Sequence, residues 1–200
     1  MDKMTGTNAP TPLREAVRQE MSPKRYAHTL GVVEQALTLS APYGLDPLRV
    51  ETAALLHDIC KEWSREDMRK MVLQYYPETL KENDLESVDI MHGFAGAALA
   101  AHYFHVEDPE ILEAICCHTV GKAGLSLLGK IIYIADATEQ GRRYPEAEEI
   151  RRRTALDLDE GIRSQLAHIV SRLTKAGKYI HPNTLEMQAW LAGNLRMETN

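Results

Sequence analysis

The chain has 200 residues, of which 44% are hydrophobic and 26% are charged, so it is long enough to bury one substantial core. It has no apolar run of about 18 residues, and its first residues lack the apolar region of a signal peptide. We therefore expect a cytoplasmic protein with no membrane partner. A net charge of −6 argues against nucleic-acid binding, so a ligand that bears phosphates must meet a local cluster of positive groups.

The spacing of the apolar residues is helical almost throughout. It begins with Leu13, Val17 and Met21 at positions i, i+4 and i+8. Residues 1–12 hold two prolines and no such period, which predicts a flexible N-terminal tail. Because no linker rich in glycine or serine and no internal repeat follows, residues 13–200 are predicted to form a single all-α domain.

Capping signals predict where the helices begin. Asp46-Pro47 places an N-cap residue before a first-turn proline, and the helix it opens is expected to run through His57 to Trp63. The segment after Ser126 is rich in β-branched residues, but no partner strand is indicated, so we predict a buried helix there. Further helix starts are predicted at Ser22-Pro23, Ser64, Gly93, Asp108-Pro109, Leu158 and Asn183 with Glu186.

Several polar residues lie within or beside these apolar helices, where burial without a partner is costly. A bound metal ion would remove that cost, because imidazole and carboxylate groups both ligate metals and the ion neutralises the carboxylates. Mixed nitrogen and oxygen ligands suit iron, manganese, cobalt or zinc better than magnesium or calcium. The residues concerned are His28, His57, Asp58, Lys61, His92, His118 and Asp136.

The pattern of His28, His57-Asp58 and Asp136 resembles that of the HD-domain metal-dependent phosphohydrolases, which are all-α helical bundles. A narrower resemblance covers roughly residues 13–195. Segments such as "KRYAHTLGVVEQA", "AALLHDICKEW", "MHGFAGAALA" and "TKAGKYIHPNTLEMQAWL" are similar to the bacterial symmetrical diadenosine-tetraphosphate hydrolases, the YqeK family.

This resemblance implies both a function and a cofactor. The implied reaction is symmetrical hydrolysis of diadenosine tetraphosphate to two ADP, in which a metal-activated water attacks one of the two central phosphates. The implied metal is iron, as one ion or two, held by His28, His57, Asp58 and Asp136. Related dinucleoside polyphosphates are further expected substrates, and ADP or GDP are expected product-like ligands. The sequence leaves open whether the chain forms a homodimer.

The remaining polar groups suit phosphate binding. Lys61 lies one turn past Asp58, and His92 stands at a predicted helix start, where free backbone N–H groups favour anions. By resemblance, Asp58, Lys61, His92 and His118 are catalytic, with His118 a candidate proton donor. The resemblance also implies that the phosphates contact Lys61, His92, His118, Thr119 and Arg142, and that His28 and Asp58 belong to the same nucleotide-binding site.

The segment "YIHPNT" is a turn between helices on residue chemistry alone, with Tyr179 a stacking partner for a base. The resemblance implies that the whole segment lines a nucleotide pocket. Its residues are Tyr179, Ile180, His181, Pro182, Asn183 and Thr184.

Two alternative functions stay open. One is an HD phosphohydrolase that acts on another nucleotide, although the absence of a Gly-Tyr-Pro motif argues against the cyclic-dinucleotide subclass. The other is a sensor that binds metal and ADP without turnover. His92 and His118 also have a purely structural interpretation as core hydrogen-bonding groups. His102, His105 and His168 fall on ordinary helix faces and are assigned no role.

Overall fold

A computed structural model describes residues 11–198, with the side chains of residues 12–193. Over this range the chain is helical and has no strand, which confirms the predicted all-α class. None of its described helices is both long and apolar enough to cross a bilayer. Residues 1–10 of the predicted tail lie outside the described residues, and the first helix begins at Thr11. The division into a tail and one domain stays a prediction.

The described helices follow one another with short connections, and a 3₁₀ turn spans Ala41–Tyr43. They are α1 (Thr11–Gln19), α2 (Pro23–Ser40), α3 (Pro47–Leu56), α4 (Arg65–Tyr75), α5 (Glu82–Leu85), α6 (Val88–His102), α7 (Pro109–Cys117), α8 (Leu127–Thr138), α9 (Ala147–Leu156), α10 (Leu158–Lys175) and α11 (Pro182–Glu198).

Most predicted caps are present in the structure. At each, a side-chain oxygen accepts a hydrogen bond from a backbone N–H two or three residues further on, which satisfies a donor that the first turn leaves free. Gly177 follows α10 in the left-handed conformation, with φ of +60°, as a C-terminal glycine is expected to do. The capping residues are Ser22, Asp46, Ser64, Asp108 and Ser126.

The prediction that the third helix continues to Trp63 is wrong. Helix α3 ends at Leu56, and residues 57–62 form turns held by bonds such as Lys61 N–H to the Asp58 carbonyl. The imidazole of His57 also hydrogen-bonds the carbonyl of Ala54. The His57 ring thus bonds a carbonyl in the last turn of α3, and the His57-Asp58 pair lies just beyond the end of this helix.

Two further helix starts differ from the prediction. Helix α6 begins at Val88 because Ile90 and Met91 are buried and extend its apolar face, so His92 lies in the second turn. The argument from free N–H groups at a helix start therefore does not apply to His92. Helix α11 begins at Pro182, and the ring of His181 accepts a hydrogen bond from the N–H of Asn183.

Helix α8 lies at the centre of the bundle and packs against α2, α7, α9 and α10. Its Ile131, Ile132 and Ile134 side chains have no exposed surface. A helix that is apolar on nearly all sides is stable only when neighbours surround it. The segment with strand-like composition is thus a buried helix, as predicted, and it carries Asp136 into the interior.

Helices α6 and α7 approach each other closely at Gly93. A Cβ atom on Gly93 would lie 2.7 Å from the carbonyl oxygen of Cys116, a distance that real Cβ atoms do not tolerate. The absence of a side chain at this position therefore brings the backbones together. As a result His92 on α6 faces His118 at the end of α7.

Replacing Gly93 by Ala should destabilise the protein by about 1–3 kcal/mol, because the helices must separate to admit a methyl group. Urea unfolding measures the change. Gly193→Ala in α11 is the matched control, since beyond its chain neighbours and its own helix backbone no described atom lies within 4 Å of its Cβ position. It should stabilise the helix by about 0.5–1 kcal/mol. Equal effects at the two glycines would contradict the close approach.

Candidate active site

Five parts of the fold bring their polar residues to one buried point. His28 comes from α2, the His57-Asp58 pair follows α3, and His92 lies on α6. His118 follows α7, and Asp136 comes from the last turn of central helix α8. These residues are far apart in the sequence, so the site exists only when the bundle has formed.

The carboxylate of Asp58 lies at the middle of this cluster. Its Oδ1 atom is 3.1 Å from Nε2 of His92 and 3.5 Å from Nε2 of His118. Its Oδ2 atom is 2.6 Å from the guanidinium of Arg25 and 3.5 Å from Nε2 of His57. Asp58 is only 5% exposed, so these groups replace the water that a free carboxylate would hold.

A second carboxylate closes the other side of the cluster. Oδ1 of Asp136 lies 3.1 Å from Nε2 of His28, and that nitrogen is 3.7 Å from Asp58. One ligand atom each from His28, His57 and Asp136 fits within a span of 4.8 Å. The same holds for His57, Asp58 and His118, so the cluster offers overlapping sets of metal ligands.

Three of the histidines are fixed in the tautomer that a metal requires. Nδ1 of His57 and of His118 each donates to a backbone carbonyl at 2.7 Å, and Nδ1 of His92 donates at 3.2 Å. A carbonyl only accepts, so the Nδ1 atoms carry the hydrogens and the Nε2 lone pairs face the cluster. The Nε2 atoms of His92 and His118 are 2.9 Å apart, and their lone pairs repel unless a proton or a cation is shared.

The chemistry of this donor set fits a divalent metal. Nε2 of His28 and Nε2 of His57 are buried and make no well-aligned hydrogen bond within the described part of the chain. Buried polar atoms rarely lack partners, and a metal ion between the imidazoles and carboxylates would satisfy all of them together.

Comparison with known proteins gives the family. Residues 25–141 match the family model described as the HD domain. The chain belongs to the HD-domain family. This HD domain is similar to a protein of Halalkalibacterium halodurans named "Bis(5'-nucleosyl)-tetraphosphatase, symmetrical", with 34% identity over 86% of this chain and 90% of that protein. A Bacillus subtilis protein of the same name is 32% identical over 88% of this chain and 93% of its own length.

A solved structure gives the same result at the level of the fold. It is a crystal structure from Clostridium acetobutylicum, described as a "predicted HD superfamily hydrolase involved in NAD metabolism". The TM-score is 0.88 at 30% identity, and the match covers 94% of this HD domain and all of that chain. Together with the relatives, it confirms the family resemblance predicted from the sequence.

Burial and neighbouring charges set the protonation of this HD domain's cluster. Burial lowers the pKa of His57 to about 4, so its imidazole is neutral near pH 7. Burial alone would raise the pKa of Asp136, but His28 and Arg142 lower it far below its usual value. Burial alone would lower the pKa of His28, but the carboxylates of Asp136 and Glu139 outweigh it and raise that pKa.

A cavity of about 800 Å³ opens over the cluster. Lys61, Thr119 and Arg142 line it, as do Asp58, His92, His118 and Asp136. Lys61 forms an ion pair of 2.9 Å with Asp89, while Arg142 pairs with Asp136. Outside the segment 179–184, every predicted nucleotide-binding residue except His28 therefore lines the cavity.

The predicted nucleotide segment, residues 179–184, runs into the first turn of α11 and lines this cavity only in part. Tyr179, His181 and Thr184 line it, and Thr184 donates a hydrogen bond of 2.8 Å to the carbonyl of Val120, which ties the segment to the end of α7. The three residues of the predicted nucleotide segment that are not in the cavity wall are Ile180, Pro182 and Asn183.

Sequence reasoning missed two residues that position the cluster. Arg25 lies one turn before His28 and pairs with Asp58. Glu139 lies three residues after Asp136, and its carboxylate accepts a hydrogen bond of 3.2 Å from Nδ1 of His28. The spacing of three residues from a predicted ligand is a signal that both share. A Cβ atom on Gly31 would come within 2.7 Å of Glu139, so this glycine leaves the space that Glu139 occupies.

Glu139→Gln should weaken the affinity for a divalent metal by about 10–100-fold, because the charged partner that orients His28 is lost. Metal titration followed by calorimetry measures the change. Glu66→Gln is the matched control, since that side chain lies on α4 with 78% of its surface exposed. An unchanged affinity in Glu139→Gln would contradict the orienting role.

Metal binding at pH 6.5 should release more than about half a proton and at most one proton per chain from the rings of His28 and His57. The proton comes from His28, because its pKa is raised above 6.5 and a metal must displace the proton from the ring. His57 contributes none, since its pKa is about 4 and the ring is already neutral. Calorimetry in buffers of different ionisation enthalpy counts the protons. Release of two or more would show that further imidazoles are charged before binding.

Proposed function

We propose that this HD domain hydrolyses diadenosine tetraphosphate symmetrically to two ADP, with a divalent metal held by His28, His57, Asp58 and Asp136. The observation that carries the proposal is the buried set of Nε2 lone pairs and carboxylates at the floor of a large cavity with basic side chains. The names of the two bacterial relatives support the same substrate and the same cleavage position.

A metal held by these residues would supply a Lewis acid, which would lower the pKa of water toward about 7. Iron is the metal we propose, and manganese, cobalt or zinc also suit the ligands. His92 and His118 share the Asp58 carboxylate, so they offer ligands for completing the shell or for a second ion.

Charged side chains of the protein balance the charge of the phosphate chain. Arg142 is fixed at the cavity by Asp136, to whose carbonyl oxygen its Nε donates at 2.7 Å. Lys61 stands at the cavity wall with Asp89 as its partner, and a phosphate oxygen can replace or join that carboxylate. Positive groups already in position stabilise the charge that develops on the equatorial and leaving oxygens.

His118 and Thr119 are placed for proton transfer. The hydroxyl of Thr119 lies 3.0 Å from Nε2 of His118, and that nitrogen is 2.9 Å from Nε2 of His92. A proton shared between the two imidazoles is available to the departing ADP oxygen. Because ADP is a good leaving group, only partial proton transfer is needed.

The first nucleoside half is assigned to the wall formed by Tyr179, His181 and Thr184. The Tyr179 ring is 42% exposed, which leaves a face for a base. The His181 ring accepts a hydrogen bond from the N–H of Asn183. Ile180 and Pro182 flank His181 in the chain, and α11 begins at Pro182. ADP and GDP are proposed product-like ligands, while a homodimer and a cytoplasmic location stay predictions from the sequence.

Hydrolysis of another nucleotide and non-catalytic sensing remain the alternatives. All four proposed metal ligands face one another, so no lesion in the described site favours a sensor, and turnover itself separates a sensor from an enzyme. The products formed from diadenosine tetraphosphate show where it is cut: symmetrical cleavage yields ADP alone, whereas asymmetrical cleavage yields ATP and AMP.

Purified protein should convert diadenosine tetraphosphate to ADP alone, as separated by anion exchange, and a chelator should stop the reaction. Asp58→Asn should lower kcat/KM by about a hundredfold or more, because the shared carboxylate ligand is lost. Asp67→Asn, at an exposed position in the first turn of α4, should leave it unchanged. Full turnover by Asp58→Asn would reject this site, and a product pattern of ATP with AMP would reject symmetrical cleavage.

A further inference from the structure

Part of the cavity has no role in the function proposed above. That function uses the metal cluster, the basic residues and the turn before α11. A second wall comes from α8, the segment after it and α10, and apart from Asp136 and Arg142 none of the lining residues on these elements was predicted to act. The cavity of about 800 Å³ lies in the upper part of the range of about 300–1,000 Å³ that ligand pockets occupy, so it has room beyond one nucleotide.

The second wall is long. On α10 the residues at the cavity follow helical spacing from Gln165 to Leu173, which spans roughly 12 Å of one helix face. Beyond Leu173 the wall continues to Tyr179. A substrate cut at its central bond extends away from the reacting phosphorus in two directions. Tyr179 stands at one end of this wall, and the other end has its own aromatic group.

That aromatic group consists of Tyr144 and His168. Their rings stack with centroids 5.2 Å apart and an angle of 21°. The Tyr144 hydroxyl donates at 2.8 Å to the carbonyl of Ala137, and Nδ1 of His168 lies 3.4 Å from a carboxylate oxygen of Glu146. Both rings line the cavity and are held in place by these contacts, which makes them a rigid surface for a purine base.

A buried hydroxyl lies on the same side of the cavity. Tyr133 is on α8, one turn before Asp136 and Ala137, and only 2% of its surface is exposed. Tyr133 lines the cavity, and its buried hydroxyl has no hydrogen-bond partner within the described residues. A buried hydroxyl is costly without a partner, and a phosphate oxygen is a strong acceptor for it.

We propose that Tyr133, Tyr144 and His168 form the subsite for the second nucleotide half of a dinucleoside polyphosphate. The base stacks on the Tyr144–His168 pair, and the Tyr133 hydroxyl donates to a phosphate oxygen of the same half. Arg172 on α10 adds positive charge to this wall. The inference rests on the proposed function and extends it, because it explains how the protein distinguishes a substrate with two nucleosides from one with a single nucleoside.

Two substrates with the same phosphate chain test this subsite. Diadenosine tetraphosphate carries two nucleosides, whereas adenosine 5'-tetraphosphate carries one. His168→Ala should raise KM for the dinucleotide about tenfold, the loss expected for one base–aromatic stack, and leave KM for the mononucleotide unchanged. His102→Ala is the matched control: it removes a histidine ring stacked on Tyr75 at 3.9 Å, outside the cavity wall, and should change neither value.

Tyr133→Phe gives a second, independent readout. Removing a buried hydroxyl without a partner should leave the unfolding midpoint unchanged or raise it. The same change should raise KM for both substrates, since both present phosphates to this wall. A lower midpoint with unchanged KM would mean that the hydroxyl is structural and would overturn its proposed role.

Equal loss on the two substrates in His168→Ala, or no loss on either, would overturn the subsite. If the wild type cleaves neither substrate, the proposed function fails, and titration with ADP then decides the subsite by itself. Two ADP bound per wild-type chain and one per His168→Ala chain would support it. One ADP bound by both proteins would reject it.

Discussion

The buried carboxylate of Asp58 is the group on which the rest of this structure depends. Taking an ionised carboxylate out of water costs several kcal/mol unless charged or hydrogen-bonding groups replace the water. Here the replacements are Arg25, His57, His92 and His118, which come from separate helices or from the turns that follow them. The helices must therefore pack in one arrangement, and a bound cation is the group that the remaining lone pairs require.

Helix α8 contributes both to the hydrophobic core and to the polar cluster around Asp58. Its isoleucines are enclosed by neighbouring helices, while Asp136 and Tyr133 on the same helix reach the cavity. Arg151 of α9 donates to the carbonyls of Thr138 and Glu139, which holds the end of α8 in place. The apolar packing thus positions the Asp136 carboxylate that we propose as a metal ligand, its Arg142 partner and the Glu139 carboxylate that hydrogen-bonds His28.

The positive charge at the cavity contrasts with the net negative charge of the whole chain. The chain is acidic, with a net charge of −6, yet the cavity wall presents Lys61, Arg142 and Arg172. A polyphosphate would be attracted by these positive groups and by a metal bound in the cluster, whereas a nucleic acid would also meet the acidic remainder of the surface. The aromatic residues Tyr179 and Tyr144 stand at the two ends of one wall, which suits a ligand with a base at each end.

The sequence by itself determined the helical class, most of the capped helix starts and the residues His28, His57, Asp58 and Asp136. The helices follow from local rules of spacing and capping. The four residues follow from a motif that can be recognised in the sequence. The family resemblance in these residues was confirmed by comparison with known proteins.

Only the tertiary structure decided where α3 stops, because the end depends on a bond from the His57 ring and on the burial of its neighbours. It alone brought Arg25 to Asp58 and Glu139 to His28, and it placed Tyr144, in the segment after α8, against His168 of α10. Contacts of this kind join residues that no local pattern relates, since they arise from the way helices pack and from the need to partner buried charge.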